Sequence, residues 1–235
     1  MFGSYDVPVE IEKEGVSLSV ERAGEIMTYR RQCGDETVEK MLLASTGKIL
    51  INPVEPVNKP KEITASLLIE LARSLVVAPA ATKKIYVTYP VEIGVFIAMD
   101  KKYEVLDIVS IEKQKFTLYG DPRSGVICKY WKSEVYSTIP TANPLHVGVI
   151  ELSITNTVSE WVNVTKAIFN AYGMKLYYSN DMVCMKATMK ITGEKTAETG
   201  FVDSPLEGGM KKSLELYTVK KLAVVSTKFV MEVGI

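Results

Sequence analysis

Apolar and polar residues alternate at every second position in several stretches of this sequence, and no other feature restricts the possible folds as strongly. One stretch places Val183, Met185, Ala187, Met189 and Ile191 at one parity and Cys184, Lys186, Thr188 and Lys190 at the other. The same period recurs over residues 7–20 and 225–235. Because successive side chains of a β-strand point to opposite faces, the pattern predicts strands with one buried face and one exposed face.

Turn-forming pairs separate such stretches at intervals of roughly 8–12 residues, which is the spacing of all-β sandwiches. They are Glu14-Gly15, Ala23-Gly24, Thr46-Gly47, Asn180-Asp181 and Thr192-Gly193. Glycine and asparagine adopt the positive φ of hairpin turns at little cost. We therefore predict an all-β protein of antiparallel, immunoglobulin-like sandwiches. Residues 35–44 and 63–75 also fit amphipathic helices, and periodicity alone leaves both assignments open.

Short matches in the same order indicate an internal duplication of roughly eighty residues. They pair Leu68-Ile69-Glu70-Leu71 with Val149-Ile150-Glu151-Leu152, Thr88-Tyr89-Pro90-Val91-Glu92-Ile93 with Ala171-Tyr172-Gly173-Met174-Lys175-Leu176, Asp121-Pro122-Arg123-Ser124-Gly125 with Ser204-Pro205-Leu206-Glu207-Gly208, and Lys132-Ser133-Glu134-Val135-Tyr136 with Lys212-Ser213-Leu214-Glu215-Leu216-Tyr217. Residues 150–155 alternate as a strand does, so a duplication favours a strand rather than a helix over 68–73.

Two proline-rich segments predict the domain organisation. The segment Ile139-Pro140-Thr141-Ala142-Asn143-Pro144 ends any continuing strand, because proline lacks the amide donor of a ladder. We therefore predict two tandem sandwiches, over residues 1–140 and 145–235. A second cluster over 52–60 separates an N-terminal group of strands, residues 1–60, from the first repeat. We assign this group to the first domain, because about sixty residues alone bury little core.

Composition and motifs argue against several kinds of chemistry. The single histidine, His146, and three scattered cysteines do not supply the paired ligands of a zinc site. The sequence has no glycine-rich phosphate loop and no nucleophile elbow, so we predict neither a metal nor a cofactor, and we expect His146 to be a linker or strand-start residue. The 28 basic residues balance the 28 acidic ones, which argues against nucleic-acid binding.

The ends of the chain and its cysteines predict where the protein works. The first residues carry no basic and apolar leader, and the longest apolar stretch, 65–81, contains Glu70 and Arg73. We therefore predict that the protein does not enter a membrane. An odd number of sparse cysteines is typical of a reducing compartment, which favours the cytoplasm.

Two carboxylates are the candidate catalytic residues. Glu55 lies between two prolines and Glu92 lies within an apolar run. Two carboxyl groups about 5–10 Å apart can hydrolyse a glycoside, so this pair at a joint between sheets would make the protein a carbohydrate hydrolase. Glu92 also fits an acid that faces solvent on an edge strand. A further cluster of Asp100, Glu104 and Asp107, with Lys101 and Lys102 among them, is predicted to be solvated turn charge.

Three aromatic side chains are the candidate ligand-binding residues. Tyr130, Trp131 and Tyr177 could stack on a sugar or a small molecule if they are exposed, although aromatic residues of sandwiches more often fill the core or form cross-strand pairs. The pairs Lys211-Lys212 and Lys220-Lys221 resemble hairpin positions, where lysines are usually solvated.

Three phrases of the sequence carry a family resemblance: Leu50-Ile51-Asn52-Pro53-Val54-Glu55-Pro56, Tyr89-Pro90-Val91-Glu92-Ile93-Gly94-Val95-Phe96 and Ala171-Tyr172-Gly173-Met174-Lys175-Leu176-Tyr177-Tyr178. Together they resemble an uncharacterised archaeal family classed as a domain of unknown function, over nearly the whole chain. The resemblance implies archaeal origin and supplies no catalytic or binding residue.

The sequence alone leaves the function unknown and favours a non-catalytic binding or protein-interaction module. The alternatives are a hydrolase that uses Glu55 and Glu92, and a protein that binds a glycan or small ligand on an aromatic face. Zero net charge and long strand edges predict self-association, with a homodimer first.

Overall fold

The computed structural model describes residues 1–44, 47–99, 102–223 and 226–235. In chain order its elements are β1 (Gly3–Asp6), β2 (Val9–Lys13), β3 (Val16–Ala23), β4 (Ile26–Cys33), β5 (Glu36–Leu43), β6 (Lys48–Val54), β7 (Ser66–Val77), β8 (Thr82–Pro90), β9 (Glu92–Met99), β10 (Lys102–Val109), β11 (Phe116–Tyr119), β12 (Val126–Ser133), β13 (Val147–Asn156), β14 (Val162–Asn170), a 3₁₀ turn (Ala171–Gly173), β15 (Tyr177–Tyr178), β16 (Val183–Gly193), β17 (Thr196–Val202), β18 (Lys211–Lys212), α1 (Leu216–Val219) and β19 (Phe229–Met231). The prediction of an all-β protein is confirmed, and the two ambiguous segments form β5 and β7. Thr46, Asp100, Lys101 and Val225, which the sequence analysis singled out, lie outside the described residues.

Two antiparallel sheets form the N-terminal sandwich. Sheet 1 has the strand order β1–β6–β9–β10 and sheet 2 the order β2–β3–β4–β5. One apolar core lies between them, to which sheet 2 contributes Leu18 and Tyr29 and sheet 1 contributes Ile51 and Val95. All four side chains are fully buried, so the alternating strands at the start of the chain bury one face as predicted.

Two further sheets form the C-terminal sandwich. Sheet 3 has the order β11–β12–β7–β14, and sheet 4 has the order β18–β15–β16–β13–β8, with β17 beside β16 and β19 beside β17. Their common core includes Leu67 and Phe169 from sheet 3 and Ile150 and Met185 from sheet 4. The strand predicted at the C-terminus is shorter than expected and ends at Met231. Beyond it, the backbone N–H of Val233 donates to the Tyr119 hydroxyl at 2.9 Å instead of to a neighbouring strand.

The division of the chain between the sandwiches differs from the predicted boundary at residues 140–145. That linker joins β12 to β13, which lie in the two sheets of the same sandwich. Strand β13 pairs with β8, and β14 pairs with β7, so strands from both predicted domains share these sheets. The N-terminal sandwich consists instead of residues 1–54 and 92–109. Prolines end strands locally, but pairing across long sequence separations decides which sheet a strand joins.

Sheets 3 and 4 share one topology. In sheet 3 the order β11–β12–β7–β14 has an antiparallel, a parallel and an antiparallel pairing, and β15–β16–β13–β8 in sheet 4 has the same series. The matched phrases Leu68-Ile69-Glu70-Leu71 and Val149-Ile150-Glu151-Leu152 occupy equivalent central strands and have the same burial pattern. The two matched phrases that follow the β9–β10 hairpin do not fall at equivalent positions: 121–125 lies between β11 and β12, whereas 204–208 follows β17, and 132–136 begins in β12, whereas 212–217 begins in β18. The duplication itself stays a prediction.

Gly148 provides a test of packing in sheet 4. It lies directly opposite Tyr89 in the β13–β8 pair, and a Cβ on residue 148 would come within 2.4 Å of the buried Tyr89 ring. We expect Gly148→Ala to lower the free energy of unfolding by about 3 kcal/mol, because a packed core does not absorb an added methyl group without strain. Urea denaturation measures the effect. Gly208→Ala is the matched control, since nothing lies within 4 Å of its Cβ position; an equal loss in both variants would contradict the prediction.

Candidate functional site

Glu92 joins the two sandwiches through a buried ion pair. It is the first residue of β9 and is 0% exposed, and its carboxylate lies 2.5 Å from the ammonium of Lys129 in β12. The same carboxylate accepts bonds from the backbone and side-chain amides of Asn58, at 2.9 and 3.1 Å, and from the backbone of Lys59 at 3.2 Å. Burial lowers the pKa of the Lys129 ammonium, although the attraction of Glu92 opposes the shift. Glu92 therefore does not face solvent; its partners are internal and join β9 to β12 and to the connection after β6.

Glu55 is also buried, at the point where β6 ends. The residue is 3% exposed. Both oxygens of its carboxyl group accept from the backbone N–H of Leu216, at 3.2 and 3.3 Å. Burial raises the pKa of Glu55 to about 8, and the nearby Glu215 adds to the rise, whereas Lys220 opposes it. At neutral pH the group is therefore predominantly protonated.

The predicted catalytic pair is closed to a sugar. The side-chain amide of Asn58 donates both to the carboxylate of Glu92 and to the backbone carbonyl of Glu55, so both residues belong to one internal network. The space beside Glu55 has a volume of about 10 Å³. That is room for a single water and far less than a glycoside needs.

The three candidate aromatic residues do not form one surface. Tyr130 and Trp131 are consecutive residues of β12 and are half-buried, whereas Tyr177 lies in sheet 4 and is 8% exposed. The indole N–H of Trp131 donates to Thr88 Oγ1 at 3.1 Å. Tyr130 lines a cleft of about 290 Å³ over sheet 3 together with Glu70 and other residues. Tyr130 is therefore a candidate residue that lies beside an open cleft.

A larger cleft, of about 510 Å³, lies where β10 of the N-terminal sandwich meets the chain that follows β17. We call it the lysine cleft. It is lined by Lys102, Tyr103, Glu104, Lys212, Ser213, Leu214, Glu215, Thr218, Val219 and Lys221. Both sandwiches contribute to its walls, which is a common position for a ligand site.

The wall that contains α1 is held against sheet 1 by packing and by hydrogen bonds. Leu216 packs on Val54 and Phe96 in a small apolar cluster on the face of sheet 1 away from the main core. The Ser213 hydroxyl donates to the carbonyl of Pro53, and Glu55 accepts from the Leu216 backbone. Glu55 therefore ties the start of α1 to the end of β6, beside the wall of the lysine cleft.

Ion pairs fix the charges on one side of the lysine cleft. The ammonium of Lys212 lies 2.6 Å from Asp203, which also accepts from the hydroxyl of Tyr177 at 2.7 Å. Glu215 lies 2.5 Å from the ammonium of Lys175. Burial acts to raise the pKa of Glu215, but the bonds from Lys175 and Tyr217 outweigh it, so the pKa is lowered. The bond to Asp203 raises the pKa of Lys212, so both lining groups are charged at neutral pH.

Sequence reasoning noted several lining residues but assigned them no site. Lys212 and Lys221 belong to the two lysine pairs that were predicted to be solvated, and both line the cleft. Glu104, from the predicted cluster of turn charges, also lines it. Asp107 of that cluster is 8% exposed and bonds Arg31 at 2.8 Å, so the prediction of a solvated charge is wrong for this residue. The lysine pairs were the available signal, but only the tertiary structure brings them to β10.

His146 lies one residue before β13, as expected of a strand-start residue. Its Nδ1 is 2.7 Å from Glu112. Within the four described ranges, no group of three histidine, cysteine, aspartate or glutamate side chains is arranged to hold a metal ion. Of the helices that the structure describes, none has the length and apolar character needed to span a bilayer.

These features define an all-β protein of two sandwiches with a ligand-sized cleft between them. A family model described as "Protein of unknown function (DUF432)" matches residues 1–232, so the chain belongs to this family. No curated protein and no solved structure matches the chain.

Proposed function

We propose that this protein is a non-catalytic binding module and that the lysine cleft holds a small-molecule ligand. The observation that carries the proposal is the cleft itself, whose volume of about 510 Å³ falls within the range of about 300–1,000 Å³ typical of ligand sites. Its lining combines three apolar side chains with five charged ones, so it is more polar than the usual small-molecule site and suits a ligand that carries charge.

The electrostatics of the cleft favour binding over acid–base catalysis. A general acid or base works best when its pKa lies near the operating pH. The ion pairs described above lower the pKa of Glu215 and raise that of Lys212, which moves both away from neutrality. Glu55 has a pKa near 8 but is enclosed behind Leu216. The titrating group and the open cleft are therefore in different places.

A variant that fills the cleft tests the proposal. Thr218 is exposed on the cleft wall, and we expect Thr218→Trp to block the space without disturbing the core. Ligand-observed NMR with a library of small fragments should find compounds that bind the natural protein and lose at least tenfold in affinity with the variant. The control is Thr141→Trp in the exposed linker between β12 and β13. Fragments that bind Thr218→Trp as well as the natural protein would contradict a site in this cleft.

A glycan-binding site is the second candidate, and the cleft beside Tyr130 favours it. Burial and the nearby Glu70 raise the pKa of the Tyr130 hydroxyl, and Lys166 lines the same space. An aromatic ring beside charged and hydroxyl groups is suited to a sugar. If binding in the fragment experiment is lost with Tyr130→Ala and kept with Thr218→Trp, this second site becomes the functional one.

The finer statements about the protein's setting are part of the proposal. We propose a cytoplasmic protein, supported by the three cysteines, all of which are free thiols. Archaeal origin, a homodimer, a protein partner and the lack of nucleic-acid binding stay predictions from the sequence. Light scattering at micromolar concentration tests the homodimer, and a strict monomer would refute it.

A further inference from the structure

We infer that the ligand of the lysine cleft is a small organic anion with a carboxylate or phosphate head on a short apolar body. The inference rests on the proposed function and assigns a chemical class to the ligand of the same site. Three elements bring lysines to one space: β10 contributes Lys102, β18 contributes Lys212, and the end of α1 is followed by Lys221.

Positive charge exceeds negative charge around this space. Two carboxylates, Glu104 and Glu215, share the lining with the three lysines. Outside the lining, Lys175 pairs with Glu215, and Asp203 pairs with Lys212. Among the residues that the structure describes, this group therefore has four ammonium ions against three carboxylates, in a protein whose formal net charge is zero. An anionic head adds the missing negative charge beside these lysines.

The backbone at Lys221 gives a second reason. This residue has a φ of +55°, in the left-handed region that a side chain makes costly and glycine does not. It follows the last turn of α1, a position where glycine is the usual residue. A lysine at this position carries a backbone cost, and a site that uses its ammonium explains that cost.

The apolar residues of the lining indicate that the rest of the ligand, beyond its anionic head, is apolar. Tyr103 is 39% exposed, and Leu214 and Val219 are half-buried in the same space. A fully hydrophilic anion would leave these side chains in water, whereas a short alkyl chain covers them. Lysine is a point charge without the planar fork of arginine, so the lining accepts either oxyanion head.

Matched probes of equal chain length test the ligand class by isothermal titration calorimetry. Octanoate and octyl phosphate provide the two anionic heads on one apolar chain, octylamine reverses the charge, and 1-octanol removes it. Acetate and inorganic phosphate supply each head without the chain. We expect one or both of the eight-carbon anions to bind the natural protein at least tenfold more tightly than the other four probes, and the tighter one identifies the head.

Charge variants locate the binding. We expect Lys221→Gly and Lys102→Gln each to lower the affinity for the anion about fivefold, which is the typical effect of removing one partly exposed charge. Lys221→Gly should leave the melting temperature unchanged or raise it, because glycine relieves the positive φ. If Lys221 had only a structural role, its replacement would not weaken anion binding while leaving the melting temperature unchanged or higher. Lys83→Gln, on an exposed stretch of β8, is the control and should bind as the natural protein does.

The outcomes distinguish this inference from the proposed function. The ligand class is wrong if octylamine or 1-octanol binds as tightly as the anions, or if neither eight-carbon anion binds. In either case the proposed function still stands if fragments bind the natural protein and Thr218→Trp weakens their binding. Anion binding that Thr218→Trp does not weaken overturns the location and the proposed function together.

Discussion

Lys129→Met is expected to lower the free energy of unfolding by about 3–5 kcal/mol, because it leaves the buried carboxylate of Glu92 without its counter-ion. The ammonium and the carboxylate are 2.5 Å apart, and both side chains are almost completely buried. Each belongs to a different sandwich, so the loss should appear in the unfolding of the whole protein. Urea denaturation followed by circular dichroism measures it.

The double variant Lys129→Met with Glu92→Gln separates the charge from the packing. Glutamine keeps an oxygen that accepts from both amides of Asn58, and although the backbone N–H of Lys59 loses its Oε1 acceptor, no buried charge remains. We expect it to recover most of the stability, since an uncharged replacement of a buried ion pair is often neutral or better. Lys132→Met is the surface control, because its ion pair with Glu70 is exposed and should contribute less than about 1 kcal/mol. If Lys129→Met lowers the free energy of unfolding by less than about 1 kcal/mol, the ion pair does not stabilise the contact between the two sandwiches.

Glu55→Gln is expected to remove a strong dependence of stability on pH. The pKa of Glu55 is raised to about 8 from an ordinary value of 4.5, so the folded protein binds a proton that the unfolded chain releases. The stabilisation from this proton is complete below about pH 4.5 and is lost as the pH rises to about 8. The difference between the two pKa values corresponds to a loss on the order of 4–5 kcal/mol.

Chemical denaturation at several pH values between 5 and 9 tests this expectation. The natural protein should lose stability across the range, whereas Glu55→Gln should lose much less and be the more stable of the two at pH 9. Glu62→Gln is the control: bonds from Tyr172 and Lys220 outweigh the effect of burial and lower the pKa of Glu62, so this variant should keep the natural pH dependence. Parallel curves for the natural protein and Glu55→Gln would show that Glu55 is ionised throughout the range.

The prediction of fold class rested on local chemistry, which is why it held. The side chains of Met185, Ala187 and Met189 had to point to one face of β16, because the period of a strand is two wherever the strand lies. The turn pairs Glu14-Gly15 and Ala23-Gly24 join consecutive strands of sheet 2, as their tolerance of hairpin geometry required.

The candidate site was less accessible to sequence reasoning because the contacts that bring its elements together are long-range. Glu92 and Lys129 are 37 residues apart, and nothing near either residue indicates the other. Glu55 and Leu216 are 161 residues apart. An acid inside an apolar run was recognised as unusual, but the sequence did not distinguish a partner in the opposite sandwich from exposure at a sheet edge.

The amino-acid sequence by itself determined that this chain forms strands, where most of them turn, and which side chains of each strand share a face, because these properties depend on neighbours two to four residues away. The tertiary structure alone decided which strands share a sheet, that the chain returns to the N-terminal sandwich for β9 and β10, and that lysines from both sandwiches meet at one cleft. Those outcomes depend on pairing between segments far apart in the chain, which the local pattern of polar and apolar residues does not encode.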